Sequence, residues 1–248
     1  MKKLIPFLML VILLGSCKSS PGSDTASSLS AAGGGASQVG GPIDYDKIIA
    51  ECTEAIKANP NDASAYANRG NAYLGKGDFD KAIADYNEAI RLNPNDQTLY
   101  YNRGLAYDQK NDYDRAIADY TQAIKLNPNY AEAYNNRGAA YADKKDFDKA
   151  IADHTQAIKI KGDYANAYNN RGYAYRNKGD VDKAIADYGE AIKIDPNYSL
   201  AYSNRGVAYL FKGDYEKAVS DYETALKLDP NNAQAVHNLE SIRQSGEL

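Results

Sequence analysis

The sequence predicts an all-α protein, an α-solenoid of about five helix-turn-helix hairpins with a half-hairpin at either end. Three observations carry this reading. Residues 63–96, 97–130, 131–164, 165–198 and 199–232 align with one another without a gap, each window being 34 residues long. Within every window, two stretches with apolar residues at helical spacing are separated by Lys-Gly-Asp or a variant of it. The composition holds 22 Tyr and no Trp, the skew expected of one unit copied several times. A net charge of -4, with acidic and basic residues interleaved rather than blocked, argues against a nucleic-acid footprint.

Taken from the beginning, residues 1–16 have the pattern of an export signal. Lys2 and Lys3 precede an apolar stretch, Leu4 to Leu14, broken only by Pro6. The stretch is shorter than the roughly 20 apolar residues a membrane span requires, and has the size of a signal-peptide core. Leu14-Gly15-Ser16-Cys17 follows. This resembles the lipobox of bacterial lipoproteins, which implies cleavage before Cys17 and attachment of lipid to its thiol. Two or three acyl chains, each buried methylene contributing about 0.8 kcal/mol, would anchor the chain durably. The resemblance places it in the cell envelope, at an outer membrane or cell surface rather than an inner membrane. Residues 17–43 then read as the lipidated cysteine and a Ser/Gly/Ala linker, with Gly33-Gly34-Gly35 and Gly40-Gly41-Pro42. Too little hydrophobicity is present there to repay ordering, so a flexible leash of roughly 28 Å r.m.s. reach is expected.

Residues 44–62 match the second helix of a hairpin whose first helix is missing, because residues 29–42 are too Gly-rich to supply it. The five full units occupy 63–232. Each carries Tyr, any residue, Asn-Arg-Gly, then Ala-Tyr after one further residue, and four of the five close on Asn-Pro or Asp-Pro. Residues 233–248 read as a lone first helix whose Glu240, Arg243 and Gln244 suit a polar terminal cap.

The repeat resembles the tetratricopeptide family. Tyr66, Gly70, Tyr73, Ala82, Tyr86, Ala89 and Pro94 fill that family's hallmark positions in the first unit, and the likeness runs from residue 44 to residue 244. It implies a right-handed superhelix and binding of another polypeptide. One departure is regular: Arg69, Arg103, Arg137, Arg171 and Arg205 stand where a Leu is common.

Local chemistry agrees with the hairpin. Gly77, Gly179 and Gly213 suit a left-handed turn, and the Asp after each suits the N-cap of the second helix. Small residues such as Gly70 and Ala82 let the paired helices approach. The recurring Arg would be costly if buried without a partner. Asp85, Asp119, Asp153, Asp187 and Asp221 recur in the second helices, so an Arg–Asp pair is expected in every hairpin.

Comparison among the copies separates the faces of the first helix. Numbering each unit from its first residue, positions 4, 6, 7, 8, 10 and 11 are identical in all five, and positions 2, 5, 9, 12 and 13 differ. On a wheel the differing positions share an arc of about 100°. This predicts a fixed packing face and an individual recognition face, which in the family lines a concave groove. Candidate partner contacts are Tyr101, Leu105, Tyr173, Arg176 and Phe211, aromatic residues and Arg being the usual anchors. Asn68, Asn102, Asn136, Asn170 and Asn204 border the same arc. Two readings stand for these amides: a ladder gripping a bound segment, or satisfaction of hairpin backbone groups.

The third unit is irregular, with Lys145 at the turn glycine, Gly162 at the proline and His154 at a tyrosine, and is expected to be the softest. His154 and His237 lack a neighbouring ligand at metal spacing, so neither a metal nor a cofactor is expected. Cys52 reads as a small buried residue, or, with Ile48 and Ile49, as part of a dimer contact. No nucleophile elbow, phosphate loop or acid pair stands apart from the repeat, which argues against an enzyme. Two functions are therefore expected: a lipid-anchored scaffold for a protein or peptide partner, or a ligand-binding accessory of a solute transporter. The carboxylate-clamping chaperone adaptors of the family are not matched. Asn stands at the expected Arg position, and Ser64, Thr98, Glu132, Asn166 and Leu200 stand where the clamp has Lys.

Overall fold

A computed structural model describes residues 43–245. The expected signal peptide, the lipidation site Cys17 and the linker lie outside the described residues. Within them, twelve helices and no strand are found: α1 Tyr45–Ala58, α2 Ala63–Lys76, α3 Phe79–Leu92, α4 Gln97–Gln109, α5 Tyr113–Leu126, α6 Ala131–Asp143, α7 Phe147–Ile160, α8 Ala165–Lys178, α9 Val181–Ile194, α10 Ser199–Phe211, α11 Tyr215–Leu228 and α12 Ala233–Ser245. They fall into two compact units, one ending at Gly162 and the other beginning at Asp163.

The second helices start behind the expected aspartates, but Asp180, unlike the others, makes no side-chain cap hydrogen bond to α9. Asp78, Asp112, Asp146 and Asp214 accept a hydrogen bond from the third backbone N–H beyond them, capping α3, α5, α7 and α11. Gly77, Gly179 and Gly213 take φ of +80°, +90° and +73° at the turn. Where no glycine is present the same geometry is forced on Asn111 at +59° and Lys145 at +64°. Asn accommodates the left-handed region; Lys is strained in it.

In the first unit α2 packs on α3, α4 on α5 and α6 on α7, while α1 packs on α2 as a second helix without its own first. In the second unit α8 packs on α9, α10 on α11, and α12 closes against α11. Every hairpin is locked by one aromatic ring against one glycine. Tyr86, Tyr120, Tyr188 and Tyr222 are fully buried. A Cβ on Gly70 would lie 2.9 Å from the Tyr86 ring and one on Gly104 2.8 Å from that of Tyr120. His154 takes the tyrosine's place in the third hairpin, buried, with Nδ1 3.0 Å from Asn135 Oδ1.

The expected Arg–Asp pair is present in all five hairpins. Arg69, Arg103, Arg137, Arg171 and Arg205 each hold their Asp in a two-pronged grip, with N···O distances of 2.7–2.8 Å. The guanidinium also bridges repeats. Arg69 donates to Thr53 at 3.1 Å, Arg103 to Asn87 at 2.6 Å and Arg137 to Thr121 at 3.0 Å, each acceptor on the second helix of the preceding unit. Its flat side lies over the Tyr three residues earlier, 5.5–5.8 Å from the ring centroid. Hydrogen bonding to the Asp holds the guanidinium pKa above its ordinary value in Arg69, Arg103, Arg171 and Arg205. A second staple repeats on the outside: Lys76–Asp46, Lys110–Asp80, Lys144–Asp114 and Lys212–Asp182 join consecutive hairpins.

Cys52 is half-buried and burial pushes its thiol pKa up. Among the described residues no cluster of His, Cys, Asp or Glu could hold a metal ion, and no helix is long and apolar enough to cross a membrane.

Candidate functional site

The first helices α2, α4 and α6, and in the second unit α8, α10 and α12, carry the residues that differ between copies. The structure divides those residues into two groups. Positions 2, 9 and 13 lie within about 40° of one another on the helical wheel, and positions 5 and 12 lie about 60–80° to one side. That rotation goes with burial in most copies, Val207 at position 9, fully buried, being an exception. Position 5 is buried in Tyr101, Asn135, Asn169 and Ser203, and position 12 in Ala142, Arg176 and Leu210. Tyr101, Asn169 and Leu210 meet side chains of the hairpin or lone helix that follows within the same compact unit, whereas Asn135 faces His154 of its own hairpin. Tyr101 stacks 4.8 Å from the Tyr130 ring and 5.9 Å from that of Tyr120. Leu210 packs in one cluster with Ala235, Leu239 and Ile242 of α12.

The expected site is therefore corrected at several residues. Tyr101 is 2% exposed and Arg176 5%, so neither is an open anchor for a partner. Asn102, Asn170 and Asn204 are buried, and Asn68 and Asn136 half-buried. Position 6 lies on the other edge of the helix from position 5, and in Asn102, Asn136 and Asn204 it faces the preceding hairpin. Asn102 Nδ2 donates to Asn71 Oδ1, Asn136 Nδ2 to Tyr101 Oη and Asn204 Nδ2 to Asn169 Oδ1, each at 3.0 Å. These three amides spend a donor on the first helix of the previous unit. They join repeat to repeat, a role that neither reading of the asparagines anticipated. In the lone last helix Asn238 Nδ2 donates instead to Tyr222 Oη, on the second helix of the preceding unit, at 3.2 Å.

The remaining candidates keep an open surface. Phe211, at position 13 of α10, is 54% exposed. Leu105 and Tyr173, both at position 9, are half-buried. Beside them in the first unit stand Gln109, exposed, and Glu132, half-buried; in the second unit Asn177 and Leu200 are half-buried. Each unit thus presents a narrow stripe of mixed apolar and amide character on its first helices. The sequence signal that separates this stripe from the packing edge is the angular split between positions 2, 9, 13 and positions 5, 12, and comparing copies for variation alone does not reveal it.

Comparison with known proteins bears on the whole array. A family model described as a tetratricopeptide repeat matches residues 98–130, 131–164 and 199–232, and a second with the same description matches 51–84 and 155–186. A model described as a TPR repeat matches 70–110 and 172–213. No curated protein sequence matches the chain. Among solved structures, YrrB, described as a TPR protein with an unusual peptide-binding site, is similar at 25% identity and a TM-score of 0.61, over 76% of this chain and 97% of YrrB. A MamA protein is similar at 31% identity and a TM-score of 0.61, over 69% of this chain and 94% of MamA. MamA of Desulfovibrio magneticus RS-1, at 24% identity and a TM-score of 0.63, shares the fold.

Proposed function

Because the chain belongs to the tetratricopeptide repeat family, we propose that it is a non-catalytic scaffold that binds a segment of another polypeptide on the open stripe of its first helices. We further propose that lipid on Cys17 holds it at a bacterial envelope membrane, where it assists assembly of envelope components. The observation that carries the binding reading is Phe211, a phenylalanine 54% exposed on the side where the copies differ. A large aromatic side chain left in water on a face freed from packing suits a partner's apolar side chain. Peptide binding in YrrB, a structural relative, supports the same reading. The lipid anchor rests on the Leu14-Gly15-Ser16-Cys17 sequence.

Photoreactive residues placed singly at Phe211 and at Ser220, which is exposed on α11, test the binding reading. A crosslinked partner from position 211 and none from position 220 is expected, and equal yields would overturn it. Mutation should target Leu105, Tyr173 and Phe211, because alanine at the buried Tyr101 would damage packing instead. For the anchor, Cys17→Ser should release the protein from membranes into the soluble fraction. Retention of the Cys17→Ser chain in membranes would overturn the anchor without touching the scaffold.

A further inference from the structure

The first and last helices of the array are finished differently. The last, α12, is a first helix without a second, and it sets Glu240 and Arg243 in water beside Val236. Glu240 stands where every full unit has its close-packing glycine, so charge closes that end. The first, α1, is a second helix without a first, and nothing comparable closes it. The other second helices bury an Ala, a Tyr or His, and another Ala completely, as in Ala82, Tyr86 and Ala89. In α1 the same positions are Ile48, Cys52 and Ala55; Ala55 is exposed and the other two are half-buried. Ile43, just before the helix, is 51% exposed. On a wheel Ile48, Cys52 and Ala55 share about 60°. The contacts with α2 centre about a third of a turn to one side, at Tyr45, Asp46 and Thr53. There a Cβ on Gly75 would lie 2.5 Å from the Tyr45 ring, Lys76 pairs with Asp46, and Arg69 donates to Thr53. One side of α1 is thus packed and an apolar side is open.

Shape and charge select what covers it. Residues 29–42 are too Gly-rich to form the missing first helix. A first helix of the repeat fits poorly, because such a helix approaches through its glycine. A Cβ on Gly172 would lie 2.8 Å from the Tyr188 ring and 3.2 Å from the Ala184 carbonyl oxygen. Ile48 takes the place of that alanine in α1 and holds such a helix off. A second α1 fits. An antiparallel pair centred on the midpoint of Tyr45–Ala58 sets Ile48 of each copy opposite Ala55 of the other, large against small, twice over. Like edges meet in such a two-fold pair. On the edge away from α2, Lys47 of each copy therefore comes within one helical turn of Glu54 of the other, and both side chains are exposed. Glu51 meets its own counterpart near the axis, a repulsion offset by Lys47, 3.9 Å away in the same helix. We propose that the protein pairs with a second copy of itself through antiparallel α1 helices. Each chain has one such end, so the contact closes on itself. A helix roughly 21 Å long buries less than the about 1,200 Å² of a standard interface, so the dimer is reversible. The proposal is independent of the scaffold reading.

Sedimentation equilibrium of the full chain in a density-matched detergent tests this, and a reversible monomer–dimer equilibrium is expected. Lys47→Glu and Glu54→Lys should each raise the dimer Kd about tenfold or more, because the symmetry turns two attractive contacts into two repulsive ones. An equimolar mixture of the two variants should return to within about threefold of the native Kd, since each copy then meets the opposite charge. Ala55→Arg should remove the dimer by filling the seat of Ile48. All three positions are exposed, so helicity and melting midpoint should not change. A monomer at every concentration, a dimer indifferent to Ala55→Arg, or a mixture no tighter than its components would each overturn the proposal. A partner crosslinked through Phe211 in the Ala55→Arg chain would leave the scaffold reading untouched by any of these results.

Discussion

Arg137 and Asp153 face each other across the third hairpin with Nε–Oδ2 at 2.7 Å and Nη2–Oδ1 at 2.8 Å, and the carboxylate is the more buried partner, its side chain 10% exposed against 16% for the arginine. Sequence reasoning alone favours Arg137→Leu as the milder change, because Asp153→Ala strands a cation. The geometry predicts the opposite order. After Asp153→Ala the guanidinium keeps Thr121 at 3.0 Å and the Tyr134 ring at 5.5 Å, whereas Arg137→Leu leaves a buried carboxylate with its charge-paired donor gone.

Chemical denaturation of the two variants checks this. Arg137→Leu should cost about 3–5 kcal/mol and Asp153→Ala distinctly less. Replacing both by Leu should recover most of the loss, since a buried pair contributes little over an apolar one. Equal losses for the two single variants would show that both charges find solvent.

The strained turn makes a second prediction. Lys145 sits at φ +64°, and glycine occupies the equivalent place in three other hairpins. Lys145→Gly should stabilise the protein by about 1 kcal/mol. Hydrogen exchange should show the gain in α6 and α7. A loss of stability would mean that the lysine side chain contributes more than its backbone strain costs.

Asn204 separates packing from recognition. It is fully buried and donates to Asn169 at 3.0 Å. Asn204→Ala should cost about 1–3 kcal/mol by leaving the Asn169 acceptor unmet. Alanine at the exposed Phe211 should change stability by less than about 0.5 kcal/mol. A fully stable Asn204→Ala chain would contradict the repeat-joining role given to this amide.

Acid should weaken the hairpins at their caps. Side-chain hydrogen bonds from Lys81, Arg115, Lys149 and Lys217 hold Asp78, Asp112, Asp146 and Asp214 below the ordinary carboxylate pKa. A carboxylate depressed on folding contributes stability above its unfolded pKa, about 3.9, and loses it as pH falls through the folded value. The melting midpoint should therefore drop from pH 5 downward, and Asp146→Asn should flatten the profile. An unchanged slope in Asp146→Asn would place the acid sensitivity elsewhere.

Much of this protein is settled by its sequence alone. The 34-residue register, the turns at Gly77, Gly179 and Gly213, the capping aspartates and the Arg–Asp pairs all follow from local chemistry or from one rule repeated five times. Such features depend on residues a few places apart, or 16 apart within one hairpin, and so leave a periodic trace. What the sequence did not reveal was which differing residues meet water. Tyr101 and Phe211 both vary between copies, yet one is 2% exposed and the other 54%. Tertiary structure decided that, because an edge of the first helix packs against the next hairpin, and side chains there adjust to each particular neighbour. Variation between copies therefore marks repeat-to-repeat packing as readily as it marks recognition, and the burial of each differing residue tells the two apart.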